Sequence, residues 1–397
     1  MHDKYRYFTL SLCIAMPAAA CDLPEKVVGE TADPMADEPQ DEEPPQDVPP
    51  QDEEPPQDVP PQDEEPPQDE EPPQDVPPQV DPPSEDPTIV AQIAGTLAVD
   101  DTWLFIGNGK IPYRVAKSGG AAEPVVSAES VADTGTIELI ALDDTHVYWN
   151  ASGGPSFGYQ LLRAPKTGGE PTLVTSKLGP NHAVPTGIAV DADYVYLTQP
   201  DIYNDLPNGV VRRVPKAGGE ALDLAQAFTL SVAVSDSYVY YARLADNKSD
   251  ELVRADKDGG NPEVIASELG QILDVQVAGD RVFWNSSDAG AFIVRTALEG
   301  GATTTLYSET GAEYFAGAPA VTAGALYWLR GGGANVGGVL SVDIAGELSE
   351  LVTAPASSPY SGFSGAYGTR IAADDTAVYW AYEGLQGGAP RIYRAAR

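Results

Sequence analysis

The sequence predicts an all-β chain: a seven-bladed β-propeller of four-stranded antiparallel blades. Three observations carry that expectation. A phrase of about 44 residues, the size of one propeller blade, recurs seven times between Val99 and Arg397. Its aromatic strand is large and apolar on both faces, as in a sheet covered on both sides. Glycine doublets fall at one fixed place in the phrase, where a tight turn between strands is needed. The clearest copy reads Leu142-Asp143-Asp144-Thr145-His146-Val147-Tyr148-Trp149 and then Leu162-Arg163-Ala164-Pro165-Lys166-Thr167-Gly168-Gly169.

The innermost strand of a blade is expected at Ile188-Ala189-Val190, Val232-Ala233-Val234 and Ile371-Ala372-Ala373. These residues are small or β-branched because the inner strands crowd a central channel. The turn that follows is Asp100-Asp101-Thr102, Asp143-Asp144-Thr145, Asp191-Ala192-Asp193, Ser235-Asp236-Ser237 or Asp374-Asp375-Thr376. Asp and Ser there accept hydrogen bonds from nearby backbone amides. Their recurrence argues against one metal site, and no loop has the oxygen spacing of a dedicated calcium motif, so no metal and no cofactor are expected.

The second strand carries Phe105, Tyr148, Tyr196, Tyr240, Phe283, Tyr327 and Tyr379, and beside them Trp149, Trp284, Trp328 and Trp380, read as packing between blades. The third strand ends in Arg114, Arg163, Arg213, Arg254, Arg295 and Arg394, with Ser341 as the exception. Lys117, Lys166, Lys216 and Lys257 follow three residues later. Residues repeated around a ring do not converge on one phosphate, so salt bridges or surface solvation are expected of them. The doublets Gly119-Gly120, Gly168-Gly169, Gly218-Gly219, Gly259-Gly260 and Gly300-Gly301 turn the chain into the fourth strand. No helix and no Lys-Ser or Lys-Thr follows them, which excludes a nucleotide loop. The sixth repeat is degenerate and keeps only Gly346.

The seventh repeat stops in its third strand at Tyr393-Arg394-Ala395-Ala396-Arg397. The fourth strand is found at the start of the domain, where Asp86-Pro87-Thr88-Ile89-Val90-Ala91 matches Glu170-Pro171-Thr172-Leu173-Val174-Thr175. An N-terminal strand is therefore expected to close the ring and cover an open sheet edge.

Three unlike stretches divide the chain. Residues 1–20 place Lys4 and Arg6 before an apolar run from Phe8 to Met16 and then Ala18-Ala19-Ala20-Cys21, the form of a cleaved export signal. The site is similar to a bacterial lipobox with Ala18 in place of Leu, so Cys21 is the expected lipidation site. Ala18-Ala19-Ala20 also suits ordinary signal peptidase. Residues 21–87 begin with Cys21 and continue as an acidic tract of alternating Pro-Pro-Gln-Asp-Glu-Glu and Pro-Pro-Gln-Asp-Val, a disordered linker that cannot build a core. It carries 24 acidic residues against Lys26, and residues 1–20 add one positive charge, so only −15 of the chain's −37 belongs to residues 88–397. Extended at about 3.1 Å per residue, such a stalk reaches on the order of 200 Å. Residues 88–397 are the expected propeller.

The aromatic doublets and the blade grammar resemble bacterial relatives of the YWTD-type propeller, the repeat of low-density-lipoprotein-receptor type, over residues 88–397. Where that family continues with Thr-Asp, this chain has Asn150-Ala151, Thr198-Gln199, Ala242-Arg243 and Asn285-Ser286. The resemblance implies the fold and carries no binding residue across.

Function is expected in the connections that do not repeat, since binding residues sit on variable loops held by rigid scaffolds. Those after the second and fourth strands hold Tyr159, Asp201, Tyr203, Asp205, Tyr314, Arg330, Tyr360 and Tyr382. Amphipathic aromatics beside Asp and Arg suit a protein, peptide or glycan surface. An enzyme reading lacks an anchor: His146 and His182 are expected on opposite faces, and no nucleophile motif is present. The expectation is a monomeric, exported, lipid-anchored binding module of the outer membrane or cell surface, or facing the periplasm, with no nucleic-acid partner. The alternatives are a glycan- or peptide-acting propeller enzyme and an envelope-assembly scaffold.

Overall fold

The computed structural model describes residues 87–397 apart from 153–157, 177, 179–183, 201–208, 246–248, 289–290, 299–301, 311–313, 316–318, 332–336, 355–370 and 383–388. Among the described residues there are strands and no helix, and none is long and apolar enough to cross a membrane as a helix.

The strands assemble into antiparallel sheets that follow the repeat. The first sheet takes β2 (Thr96–Val99), β3 (Trp103–Asn108), β4 (Ile111–Ala116) and β5 (Glu123–Pro124). The second takes β6 (Ile137–Leu142), β7 (His146–Ser152), β8 (Tyr159–Pro165) and β9 (Thr172–Thr175). The third takes β10 (Gly187–Val190), β11 (Tyr194–Pro200), β12 (Gly209–Pro215) and β13 (Leu222–Gln226). The fourth takes β14 (Val232–Val234), β15 (Tyr238–Leu244), β16 (Asp250–Asp256) and β17 (Glu263–Ala266). The fifth takes β18 (Gln271–Ala278), β19 (Arg281–Asp288), β20 (Ala291–Leu298) and β21 (Thr304–Thr310).

The sixth sheet departs from the expected pattern and has five strands. Both β22 (Tyr314–Phe315) and β23 (Ala320–Val321) pair with β24 (Ala325–Gly331), which continues to β25 (Gly337–Asp343) and β26 (Leu348–Ala354). Pro319 stands between the two short pieces and has no N–H to carry the ladder onward. The last sheet orders β27 (Ile371–Ala373), β28 (Ala377–Tyr382), β29 (Arg391–Ala396) and, from the other end of the domain, β1 (Thr88–Ala91). The expectation of seven like blades is thus corrected to six four-stranded blades and one irregular five-stranded sheet.

Closure follows the expected route. Thr88 lies opposite Arg394 and Ile89 opposite Tyr393, so β1 occupies the outer edge that the last repeat leaves bare. The inner strands touch in a cycle: β2, β6, β10, β14, β18, β23, β27 and back to β2. Each blade therefore buries its faces against two neighbours. Phe105, Tyr148, Tyr196, Tyr240, Phe283, Tyr327 and Tyr379 are all buried, as are Trp149, Trp284, Trp328 and Trp380. Trp149 packs with Phe105 of the first sheet, and Trp284 with Tyr240 and Leu252 of the fourth. The tryptophans are mortar between blades, as their both-faces-apolar setting predicts.

The glycine doublets make turns with φ of +96° and +148° at Gly168 and Gly169, a region that L side chains disfavour. They also lie close to the preceding blade: the Gly120 N–H donates to the carbonyl of Val90, and that of Gly169 to the carbonyl of Val125.

Candidate functional site

The repeated polar residues gather at one end of the sheets, where the first and second strands and the third and fourth strands are joined. Each turn aspartate there is a hub. One oxygen of Asp143 accepts the amides of Thr145 and His146, and the other accepts the Tyr148 hydroxyl and the Lys216 ammonium of the third sheet. The same ion pair joins Lys117 to Asp374 at 2.7 Å, Lys166 to Asp100 at 2.9 Å and Lys257 to Asp191 at 3.0 Å. In every case the lysine reaches back to the blade before its own. Where the turn has Ser235, Gly279 or Thr322 in place of aspartate, the next blade has Leu298, Ile344 or Arg397 in place of lysine. The ion pair is present or absent as a unit.

Burial by itself raises these carboxyls, but the ammonium and amide partners outweigh it. Asp143, Asp191 and Asp100 are held below the usual carboxylate range, and Asp374 is held at about 2. Burial, and then the neighbouring Asp143 carboxylate, lift the Tyr148 phenol to about 12. The arginine column is equally occupied. Arg213 stacks on Tyr194 at 4.3 Å and donates to the Lys257 carbonyl, and Arg114 donates to the Lys166 carbonyl. This end is a clasp between blades.

The opposite end carries a polar layer that repeats only in part: Asn150 and Asn285 follow the aromatic pair where other blades have Gly107, Thr198, Ala242, Leu329 or Ala381. Gly187 lies opposite Thr198 and Asp274 opposite Asn285, so the starts of the inner strands and the ends of the second strands share this end with the irregular connections. Buried polar side chains there include Thr96, Asn150, Thr198, Gln199, Thr229, Ser231, Asp250, Asp274, Asn285 and Ser286. The Asn150 Oδ1 accepts the amides of Glu138 and Leu139. Asp250 accepts the Ile272 amide at 2.7 Å, and Gln276 donates to Asp274 at 2.8 Å.

Three carboxyls in this layer are shifted upward by burial, the reverse of the clasp aspartates. Burial raises Glu138 to about 7 despite the opposing influence of the Asn150 side chain, and Asp250 to about 6 against the Ile272 amide. Asp274 rises to about 7 against Ser231, Gln276 and the Val275 amide. Groups poised near neutrality among amides and hydroxyls can hold or release a proton and can hydrogen-bond a polar ligand. Among the described residues, no three of His, Cys, Asp and Glu are grouped to hold a metal ion.

The residues expected to bind a ligand fall into three groups. Asp201, Tyr203, Asp205 and Tyr360 lie outside the described residues, as does His182. Phe315 and Tyr314 of β22 pair in register with Arg330 and Gly331 of β24, which brings the backbones of Tyr314 and Arg330 to one corner of the sixth sheet. Tyr159 is half-buried against the core around Tyr148, Leu161 and Val195, and Tyr382 is buried with Trp380 and Tyr393. Those two belong to different sheets and are not brought together. The expectation overlooked Glu138, Asn150, Asp250, Asp274 and Asn285. Asn150 and Asn285 share one blade position, directly after the aromatic pair, whereas Glu138, Asp250 and Asp274 follow no repeat that could have flagged them.

A groove of about 560 Å³ lies instead on the outer rim, between β1 and the first sheet, lined by Ile89, Gln92, Tyr113 and Ala122 among others.

The fold places the chain among β-propellers. No family model and no curated protein matches it. Among solved structures it is similar to a Mycobacterium tuberculosis puromycin-hydrolyzing peptidase, with 16% identity, 80% of this chain and 54% of that one covered, and a TM-score of 0.52. It is similar to YCF48 bound to D1 peptide, with 13% identity, coverage of 81% and 97%, and a TM-score of 0.50. A nidogen/laminin complex also matches, with 19% identity, coverage of 64% and 92%, and a TM-score of 0.45. The chain spans about half of the peptidase, and at these identities the likeness is one of fold.

Proposed function

We propose that this protein is an exported, lipid-anchored propeller that captures a protein, peptide or glycan at the end of its sheets where the irregular connections emerge, and does so without turnover. One observation carries the reading: the repeated polar residues are occupied between blades, whereas the opposite end holds a layer of buried polar side chains that, apart from the shared Asn150 and Asn285, differ from blade to blade. A surface built from non-repeating groups can discriminate one ligand, and a surface of identical groups spread round a ring cannot converge on one. Lipid on Cys21 and an acidic stalk would hold the propeller away from its membrane, at the outer surface or facing the periplasm. Asp201, Tyr203, Asp205 and Tyr360, with Tyr314 of β22 and Arg330 of β24, are its proposed contacts.

The full chain is the bait in a crosslinking pulldown from envelope extract and on a glycan array. A variant with Asp201, Tyr203 and Asp205 all changed to Ala should lose capture of the ligand found while keeping the wild-type melting temperature. Cleavage of that ligand by the wild-type chain would overturn the binding reading in favour of an enzyme. Lipidation is tested separately, by incorporation of a clickable fatty acid that Cys21→Ser abolishes.

A further inference from the structure

The joint between the fourth and fifth sheets is built differently from the four clasped joints that precede it. Ser235 and Leu298 stand where the clasp would need Asp and Lys, so the charged pair that ties the preceding four joints is missing here. The tie is made at the other end and is uncharged on one side. The Ser231 hydroxyl of the fourth sheet bonds the backbone of Val275 on β18, at 3.2 Å from its N–H and 3.3 Å from its carbonyl. Asp250 on β16 accepts the amide of Ile272, also on β18.

Between these two ties lies Asp274, wholly buried, with Ser231 and Gln276 as its side-chain partners. Asn285 is its cross-strand neighbour, and the Asn285 Oδ1 is buried with no donor among the described residues. Cross-strand partners project from the same face of a sheet within about 5 Å. A protonated Asp274 supplies the missing donor, and an ionised Asp274 supplies none.

The other charged groups packed round the joint are engaged elsewhere. Arg243 on β15 pairs with Glu251 on β16 at 2.7 Å, and Arg295 on β20 donates to the Ser286 hydroxyl. β23 offers Ala320 and Val321, and neither titrates. No described cation faces Asp250 or Asp274, so burial is the leading influence on both.

We propose that this joint is a proton-dependent hinge in the ring: it is closed while Asp250 and Asp274 carry protons and is loosened when they ionise. Two carboxylates in a dry seam with no cation are strongly disfavoured, and relief comes from water entering between β14 and β18. The clasped joints respond in the opposite sense, because their aspartates must be ionised to hold lysine. A rise in pH therefore slackens this joint while the lysine–aspartate clasps stay closed.

The test is hydrogen–deuterium exchange of the full chain at about pH 5.5 and about pH 8, corrected for intrinsic exchange rates. Peptides covering Val232–Val234 and Gln271–Ala278 should lose about tenfold or more of their protection at the higher pH, while peptides from β11 and β28 should not. Asp274→Asn, which keeps the shape and an N–H donor but cannot ionise, should cut the pH response of these segments by at least half, the remainder coming from Asp250. If that variant does not fold, Asp250→Asn should halve the pH response or better. Protection of β14 and β18 that is unchanged by pH in the wild-type chain overturns the proposal, as does an undiminished pH response in a folded Asp274→Asn chain.

Discussion

Lys216 of the third sheet places its ammonium 2.7 Å from the Asp143 carboxylate of the second, 73 positions earlier in the chain. The pair is enclosed, with about a tenth to a fifth of each side chain exposed, and Tyr148 lies under the ammonium at 5.4 Å. It is one of four like joints, and together they explain why the repeat keeps aspartate, aromatic and lysine in a fixed order.

Removing the hub should cost more than removing its cation. Asp143→Ala leaves two amides, a phenol and an ammonium without their acceptor, and should destabilise the fold by about 2–4 kcal/mol. Lys216→Met leaves the amide and phenol bonds intact and should cost about 1 kcal/mol. Urea unfolding of both single variants and the double variant measures this. The double should lose less than the sum of the singles, because the pair is counted twice in that sum.

The pH profile of stability should have two arms. Asp100, Asp143, Asp191 and Asp374 have lowered folded-state values, so their contribution is present above the unfolded value of about 4 and is lost as pH falls, through about 2 for Asp374. Glu138, Asp250 and Asp274 have raised values. Between about 4 and about 7 the folded state binds more protons at these sites than the unfolded chain does, so stability falls as pH rises across that window. The melting temperature should therefore peak near about pH 5. Asp374→Asn should flatten the acid arm and Glu138→Gln the neutral arm.

Interblade tryptophans should dominate the core. Trp284 is fully buried among Tyr240 and Leu252 of the fourth sheet and Val275 and Val282 of its own sheet, and Trp284→Ala should cost about 3–5 kcal/mol. Denaturant titration checks this against Trp103→Ala, whose side chain is only half-buried on the first strand pair.

The turn glycines differ in how far they can be replaced. At Gly259 φ is +87° and an added Cβ would lie 2.6 Å from the Leu224 carbonyl oxygen, so Gly259→Ala combines backbone strain with an interblade clash. At Gly120 φ is +146° with open space around the site. Thermal melts should show Gly259→Ala several degrees below Gly120→Ala.

Deleting Thr88–Ala91 removes the outer strand of the last sheet and the acceptor of the Gly120 amide, the Val90 carbonyl. The melting temperature should drop by about 5 °C or more, and the bared edge of β29 should promote association, read by light scattering.

Much of this structure was legible before folding because it repeats. Periodicity gave the strands, the aromatic column between blades, the glycine turns and the match of Thr88–Ala91 to the missing edge, since each is a local demand made again in every blade. The sixth sheet was readable only as degenerate: its split inner position depends on how Pro319 interrupts pairing with β24. The clasp was half legible. Aspartates and lysines stand in plain columns, but their pairing runs from one blade to the blade before it, and only the closed ring fixes that neighbour. The polar layer around Glu138, Asp250, Asp274 and Asn285 was not legible at all. Asn285 shares its blade position with Asn150, but Glu138, Asp250 and Asp274 come from different strands of different blades at unrelated sequence positions, and their burial is a consequence of closure. The sequence by itself determined the kind of sheet and how the ring is stitched shut. The tertiary structure decided which charges are consumed as clasps and which carboxyls are left without a cation, because both depend on what the neighbouring blade presents across the joint.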